Sequence, residues 1–276
     1  MRRRTSLGLS RAAPTSPVPD VVIVLVLYLT LMGLVVGSFL NVVIYRVPRH
    51  LSVVRPRSAC PTCHHAIDAR DNIPVVSWLL LRGKCRHCAA PIAGRYPLVE
   101  LATAVIFSLT TWRVGAHVDL GAYLILDAAL VALALIDLEH LLLPRSIVYP
   151  TLIAVGLWLV MSAAIDHQWH RLVVAVACGA GWFVIFFLIN FFSPQALGFG
   201  DVRLSAVLGL ALGWWGVGVV VVGFFTANLV GAVVGVTLIA TKRRARDEPI
   251  PYGVYLALGT LVALWFAPAL MSHWHY

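Results

Sequence analysis

The stretch 21-VVIVLVLYLTLMGLVVGSFLNVVI-44 contains 24 residues and no charged side chain. An α-helix rises about 1.5 Å per residue, so about 20 apolar residues cross the hydrocarbon core of a bilayer. The stretch is also longer than the apolar core of a secretory signal peptide, the alternative that the arginines before it suggest. We therefore predict a retained membrane helix over residues 21–44, preceded by a disordered tail over residues 1–20.

The composition of the whole chain has the same character. Of the 276 residues, 60% are hydrophobic and 12% are charged, whereas soluble domains carry about 25% charged residues. In lipid every backbone polar group needs an internal partner, which leaves helices or closed barrels. Long unbroken apolar runs, rather than short alternating strands, favour helices. The sequence predicts an all-α, polytopic integral membrane protein.

Six further apolar runs predict the other membrane helices. The longest of them exceeds one crossing, and its segment 213-GWWG-216 offers glycines for a turn and tryptophans suited to the membrane interface. A break at that segment gives about eight transmembrane helices in all. The six runs are Leu98–Trp112, Leu120–Ile136, Ile147–Ala164, Leu172–Phe192, Leu204–Thr241 and Ile250–Met271.

The distribution of Lys and Arg predicts the orientation. With eight crossings, 15 of the 21 basic residues fall on the side of the loop 45–97 and six on the other side. Cytoplasmic loops carry the excess of positive charge, so we place this loop in the cytoplasm and both termini outside. The net charge of +9 thus lies in membrane loops; we expect contact with membrane lipid and no nucleic-acid partner.

Four of the five cysteines lie in the loop 45–97, as the pairs Cys60-Pro-Thr-Cys63 and Cys85-Arg-His-Cys88. Each tight turn can aim two thiolates at one tetrahedral ion, and a reducing cytoplasm disfavours disulfides. We predict a zinc-ribbon-like site with a structural Zn²⁺ between the first and second membrane helices. Two unrelated pairs of free or redox-active cysteines are the alternative. The adjacent His64, His65 and His87 are not needed, because four thiolates complete the site.

Ionisable groups in a membrane span are costly, so each of them requires an explanation. Five acids qualify, and two of them fall at similar depth. Counted along their helices, Asp137 lies roughly 27 Å below Asp119 and Asp201 roughly 20 Å below Trp214, in a core about 30 Å thick. Both acids then lie just inside the cytoplasmic face. The five are Glu100, Asp127, Asp137, Glu139 and Asp201.

Helical phase separates Asp137 from Glu139. The two acids are two residues apart, or about 200° around the helix, so only one of them can face Asp201. Because the polar His140 follows Glu139, we expect Glu139 to face water and Asp137 to face the interior. Asp127 lies deep in the third span, where it either bonds a neighbouring helix or lines a water path.

Asp201 follows Gly198-Phe199-Gly200. These glycines allow backbone conformations that other residues avoid and let another chain approach closely, so we expect Gly198 and Gly200 to form an active-site loop. The alternative is that Asp201 is a simple helix cap, a role that a short Gly-x-Gly-Asp motif also allows.

Two neighbouring carboxyl groups in a low dielectric cannot both ionise easily, and they share a proton. One can take a proton from water while the other donates one to a carbonyl group, which is hydrolysis without a metal. A different class of protein uses such a pair as a proton relay in transport. Transport would favour a midplane site and two similar halves, and the sequence has no convincing internal repeat.

From about Gly37 onward, the chain resembles the type IV prepilin peptidases, the bifunctional prepilin leader peptidase and N-methyltransferase family. The resemblance rests on the combination of several short motifs, each of which is weak alone. Two motifs of the family appear with departures: Arg145 follows Leu143-Pro144, and the last motif is Pro251-Tyr252-Gly253-Val254. The matching segments are Gly37–Arg49, the cysteine pairs, Asn72–Pro74 with Ser77-Trp78, Arg95–Leu101, Ile136-Asp137 with Leu143-Pro144, and Gly198–Asp201.

The resemblance implies a Gly-x-Gly-Asp aspartic protease of the bacterial inner membrane, with Asp137 and Asp201 in the catalytic positions. Prepilins and pseudopilins with basic leaders would be cut after glycine on the cytoplasmic side. The new N-terminal residue would then be methylated from S-adenosylmethionine, whose binding residues are not assigned. The loop 45–97 would be the methyltransferase-associated domain and residues 98–272 the transmembrane peptidase domain. A non-enzymatic or proton-coupled transport protein of the same fold is the alternative.

Overall fold

The computed structural model describes residues 19–194, 197–242 and 250–271. Within these ranges the chain is helical and contains no β-strand beyond two isolated bridges, which confirms the predicted all-α class. Most of the predicted disordered tail lies outside the described residues, as do most of the basic residues of the last loop. The helices are α1 (Pro19–Arg46), α2 (Val76–Leu80), α3 (Arg95–Val114), α4 (Leu120–His140), α5 (Arg145–Ile165), α6 (Trp169–Phe192), α7 (Phe199–Gly213), α8 (Val217–Ala240) and α9 (Tyr252–Met271).

Eight of these helices correspond to the eight transmembrane helices predicted from the seven apolar runs, and the five-residue α2 is additional. Five helices (α1, α4, α5, α6 and α8) are individually long and apolar enough to cross a membrane. Helix α7 has 15 residues, fewer than the about 20 that a single crossing needs. It is buried on most sides among its neighbours, so it lies inside the bundle instead of facing lipid along its length.

The predicted break in the longest run is confirmed. Helix α7 ends at Gly213 and α8 begins at Val217, and Gly216 between them has φ +116°, a conformation suited to glycine. Trp214 is buried, and its Nε1–H donates to Asp119 Oδ2 at 3.0 Å. This tryptophan therefore ties α7 to the start of α4, whereas the sequence suggested a position at the lipid interface.

Small residues bring three helix pairs into close contact. On α1, a Cβ added to Gly33 would lie 2.7 Å from the Cα of Ala104 on α3. On α9, a Cβ on Gly259 would overlap the Gly223 carbonyl oxygen of α8. Helices α6 and α7 meet in the same way at Gly209. Close backbone packing of this kind is typical of membrane helices, which gain little hydrophobic energy from association.

A second, smaller buried apolar cluster joins α1, α3 and α4. It contains Leu40, Ile44, Val99, Val131, Ala132 and Ile136. Because Ile136 precedes Asp137 and Val99 precedes Glu100, this cluster positions two of the five membrane acids.

Candidate active site

Asp137 lies in the last turn of α4, and its side chain is 6% exposed. The backbone N–H of Gly253, the second residue of α9, donates to Asp137 Oδ2 at 2.8 Å. The first N–H groups of a helix lack partners within the helix and carry positive partial charge. The start of α9 therefore holds the Asp137 carboxyl group in place.

Only glycine fits this contact. A Cβ on Gly253 would lie 2.9 Å from Asp137 Oδ2 and 2.9 Å from Leu143 Cδ2. Such distances are too short for a side chain, so the missing Cβ permits the hydrogen bond. In the sequence this segment stands out only as a departure from the family motif, and Gly253 is not among the predicted site residues.

Asp201 is the third residue of α7 and is 9% exposed. Its Oδ2 lies 3.2 Å from the position of a Cβ on Gly198, and its buried Oδ1 has no hydrogen-bond partner in the described part of the chain. The same side chain, Leu143, contacts both the Gly200 position, directly before Asp201, and the Gly253 position, which adjoins Asp137. The structure thus brings the two sequence-predicted acids together.

Leu143 packs against two glycines, one next to each acid of the pair. A Cβ on Gly200 would lie 2.9 Å from Leu143 Cβ, and Leu143 also contacts the Gly253 position. The two glycines of the Gly198–Asp201 segment therefore have distinct surroundings: Gly198 lies beside the carboxyl group, and Gly200 lies against Leu143. Both observations fit the predicted role of this segment as a closely packed loop.

Glu139 points away from the pair. It is exposed and forms an ion pair with Arg95 at the start of α3. Asp137 is inside and Glu139 outside, which is the side that helical phase predicted for each.

Tyr252 is a further neighbour of the site that the sequence did not identify. Its hydroxyl donates to Asn228 Oδ1 on α8 at 3.1 Å, and the next residue, Gly253, donates its backbone N–H to Asp137. The sequence shows only that Tyr252 and Gly253 lie near the start of the last apolar run. Nothing in the local sequence indicates which residues they contact.

Asp127 remains apart from the pair. It is fully buried, and neither carboxyl oxygen has a hydrogen-bond partner among the described residues. Thr110 of α3 lies beside it, and the Thr110 hydroxyl accepts a hydrogen bond from Trp265 Nε1 at 3.1 Å. Asp127 thus makes no hydrogen bond to a neighbouring helix in the described part of the chain, and neither of its two predicted roles is tested.

The four loop cysteines form one cluster whose Sγ atoms all lie within 4.8 Å of one another. Cys60 Sγ and Cys88 Sγ are 3.8 Å apart, and tetrahedral coordination with Zn–S bonds of about 2.3 Å requires sulfur atoms about 3.8 Å apart. The four cysteines form no disulfide. The cluster could therefore hold a metal ion, and no histidine belongs to it in the described residues.

The two cysteine turns have matching backbones. Cys60 N–H donates to His65 O at 3.0 Å, and Cys85 N–H donates to Ala90 O at 2.8 Å. The residue after each second cysteine has positive φ, 57° for His64 and 56° for Ala89. Backbone N–H groups of Cys63 and Thr62 lower the pKa of the Cys60 thiol to about 6, and the thiolate is the form that binds metal.

An ion pair connects the second cysteine turn to the segment before α2. Arg86 donates to both carboxyl oxygens of Asp71, with Nε at 2.9 Å from each. These hydrogen bonds lower the pKa of Asp71 and raise that of Arg86. The four clustered cysteines, the two matched turns and this ion pair make the loop a defined unit rather than a flexible connection.

Comparisons with known proteins identify two matching family models. The bacterial peptidase A24 N-terminal domain matches residues 31–114, and the type IV leader peptidase family matches residues 124–236. Neither match tests the boundaries that we predicted at residues 44, 97 and 272. No solved structure matches the chain.

Several relatives carry the name prepilin leader peptidase/N-methyltransferase. The relative from Stutzerimonas stutzeri is 36% identical over 87% of this chain and 90% of its own length. The relative from Pseudomonas aeruginosa is 36% identical over 87% of this chain and 89% of its own length. The relative from Myxococcus xanthus is 41% identical over 80% of this chain and 68% of its own length.

Proposed function

Because this chain belongs to the type IV leader peptidase family, we propose that it is a membrane-embedded aspartic endopeptidase that removes the leaders of prepilins and pseudopilins. It then methylates the new N-terminal residue. The names of the relatives support this function over the transport alternative. The observation that carries the peptidase half is the pair of buried acids, Asp137 and Asp201, at adjoining helix ends.

In this proposal Asp137 is the general base. The Gly253 N–H at 2.8 Å and the start of α9 stabilise negative charge on its carboxyl group. Asp137 takes a proton from water, and the resulting hydroxide attacks the carbonyl carbon of the peptide bond. No metal ion is needed for this step, because a pair of carboxyl groups supplies both the base and the acid.

Asp201 is the general acid. Its Oδ1 has no partner in the described residues and so can donate a proton to the carbonyl oxygen as charge develops there. The tetrahedral intermediate then collapses, the C–N bond breaks, and the amine leaves with a proton from the pair. Gly198 and Gly200 leave room beside Asp201 for the backbone of the substrate.

We place the cut after glycine on the cytoplasmic side, with the cysteine loop on the same side and both termini outside. The excess of Lys and Arg in the loop 45–97 supports this orientation. An extended basic leader would then approach from the cytoplasm while the apolar part of the prepilin remains in the membrane.

Cys60, Cys63, Cys85 and Cys88 would hold a Zn²⁺ ion, which cross-links the two cysteine turns when bound. We assign this ion a structural role, because four thiolates leave it no open position for a substrate. S-adenosylmethionine would supply the methyl group as a second substrate.

The test uses the purified full chain in lipid nanodiscs and a peptide with a basic leader, a glycine, a phenylalanine and an apolar segment. We expect one cut, after the glycine, and the addition of one methyl group to the phenylalanine amine when S-adenosylmethionine is present. Mass spectrometry of both products identifies the bond and the modification. An uncut peptide, or a cut at another bond, would contradict the proposal, and a proton flux through vesicles without cleavage would favour transport.

A further inference from the structure

Three segments that neither the aspartate pair nor the cysteines use meet at one place: the end of α1, the turn before α2 and the start of α3. A Cβ on Gly37 would lie 2.7 Å from the Cα of Glu100, so the two backbones touch where α1 crosses α3. One turn further along α1, the buried Asn41 side chain donates from Nδ2 to the Tyr96 carbonyl oxygen at 3.1 Å. The end of α1 and the first turns of α3 therefore form one packed unit.

The turn before α2 is strained. Val75 has φ 61° and ψ −49°, and the Val76 N–H donates to Pro74 O at 2.6 Å. This is a three-residue γ-turn, which is rare, and a β-branched residue is poorly suited to positive φ. Such strain persists where the surrounding structure holds it, often beside a ligand. Here the turn directs the Val75 N–H at Glu100 Oε2, 2.7 Å away.

Glu100 is a buried carboxylate without a counter-charge. It is 7% exposed, and the Val75 N–H is the one hydrogen bond that it receives within the described part of the chain. None of the ion pairs in that part includes it. A buried carboxylate normally has a cationic partner, because desolvation of the isolated charge is costly. The Oε1 atom accepts no hydrogen bond from the described residues, and it is not among their fully enclosed unpartnered atoms, so it is accessible to such a partner.

The aspartate pair is one helix away from Glu100. Val99 and Ile136, the residues before Glu100 and Asp137, belong to the same small apolar cluster. A chain end released at Asp137 on α4 therefore arises beside the helix that carries Glu100.

We propose that Glu100 binds the ammonium group at the new N-terminus of the cleaved peptide and removes its proton for methyl transfer. This assignment rests on the proposed function. Glu100 takes one proton from the ammonium group, and the freed nitrogen lone pair attacks the methyl carbon of the sulfonium donor. The N–C bond forms while the S–C bond breaks, and its electron pair stays on sulfur, which becomes a neutral thioether.

Recognition of an ammonium group also sets the order of the two reactions. The precursor has an uncharged amide nitrogen at this position, and the charged amine exists only after the peptide bond is cut. A carboxylate site therefore accepts the product and rejects the precursor. The other source of a cation is a Lys or Arg side chain of the leader, which the experiment must distinguish.

The decisive variant is Glu100→Gln, because its carboxamide oxygen still accepts the Val75 N–H while the charge is removed. We expect leader cleavage close to that of the wild-type chain and a loss of methyl transfer. Asp68→Asn, which removes an exposed carboxyl group of the loop 45–97, is the control and should keep both activities. Methyl transfer by Glu100→Gln at the wild-type rate would overturn the assignment.

A binding measurement provides a readout independent of activity. The probe is the cleaved product peptide, with its N-terminal amine either free or acetylated, added without a methyl donor to the full chain in nanodiscs. We expect the wild-type chain to prefer the free amine by at least about tenfold and Glu100→Gln to lose the preference. Equal wild-type affinities for the two peptides would overturn the proposal, even if Glu100→Gln failed to fold.

Two other outcomes separate the possible failures. One outcome is that Glu100→Gln raises the KM for cleavage of the precursor while acetylation of the product does not change its affinity. Glu100 would then bind a basic side chain of the leader, and our assignment would be wrong. If the wild-type chain cleaves but transfers no methyl group, that half of the proposed function fails, and a preference for the free amine would still support an ammonium site at Glu100.

Discussion

Gly253 lies where a side chain would meet the Asp137 carboxyl group, because an added Cβ would be 2.9 Å from Asp137 Oδ2 and 2.9 Å from Leu143 Cδ2. We expect Gly253→Ala to displace that carboxyl group and to reduce leader cleavage by about 100-fold, the effect of a misplacement of about 1 Å in an active site. Gly181→Ala is the control, since no atom lies within 4 Å of a Cβ there. Wild-type cleavage by Gly253→Ala would contradict the described contact.

At the scale of single residues, the sequence selected Asp137 and Asp201 as candidates, and their catalytic role stays a prediction. The cost of an acid in a membrane singles out such residues, and helical phase separates Asp137 from Glu139. The sequence could not identify Gly253, which is 116 positions from Asp137. No local sequence pattern marks a glycine that is required because a side chain would not fit. Only the packing of α9 against α4 shows that Gly253 is such a residue.

At the scale of secondary-structure elements, the contact of α6 with α7 depends on small residues. A Cβ on Gly209 would lie 2.8 Å from the Cys178 carbonyl oxygen and 3.0 Å from the Cα of Gly179. These are backbone atoms that cannot rotate away, so we expect Gly209→Ala to lower stability by about 1–3 kcal/mol. Thermal unfolding in nanodiscs measures the effect.

Gly156→Ala is the matched control for this substitution. The nearest atom to its added Cβ is Leu210 Cδ2 at 3.7 Å, an ordinary contact. The thermal midpoint should therefore stay the same or rise slightly, since alanine favours helix over glycine. Equal midpoints for Gly209→Ala and Gly156→Ala would show that the α6–α7 contact is looser than described.

The cysteine loop leads to a different expectation. The second cysteine turn carries Arg86, which pairs with Asp71, and Asp71 leads into the strained turn at Val75 that contacts Glu100. If the four-cysteine cluster holds the proposed metal ion, its removal by a chelator should therefore reduce methyl transfer more than leader cleavage. Equal loss of both activities would contradict this separation.

Metal content in two variants accompanies the chelation experiment. Cys60→Ser removes one of the four clustered thiols and should lower the bound metal, whereas Cys178→Ser changes the cysteine buried in α6 and should leave it unchanged. The sequence predicted the four cysteines from their spacing. It could not predict the matched turns or the Arg86–Asp71 pair, because these depend on how the two halves of the loop fold onto each other.

At the scale of the whole molecule, apolar runs predicted the helices closely, because the bilayer requires a minimum length of each crossing helix. The short α7 is the exception that the runs could not resolve. Its 15 residues are buried among other helices, and burial within a bundle removes the length requirement that the lipid imposes. The order of helices was therefore predictable, whereas the position of α7 inside the bundle was not.

The central claim is that Asp137 and Asp201 together hydrolyse the leader peptide bond. Its most direct test compares leader cleavage by three single variants in nanodiscs: Asp137→Asn, Asp201→Asn and Glu139→Gln. Both asparagine variants should lose at least about 100-fold in rate, the usual contribution of an acid or base, while Glu139→Gln, whose exposed carboxyl group faces Arg95, should cleave normally. Leader cleavage at the wild-type rate by either asparagine variant would contradict the account.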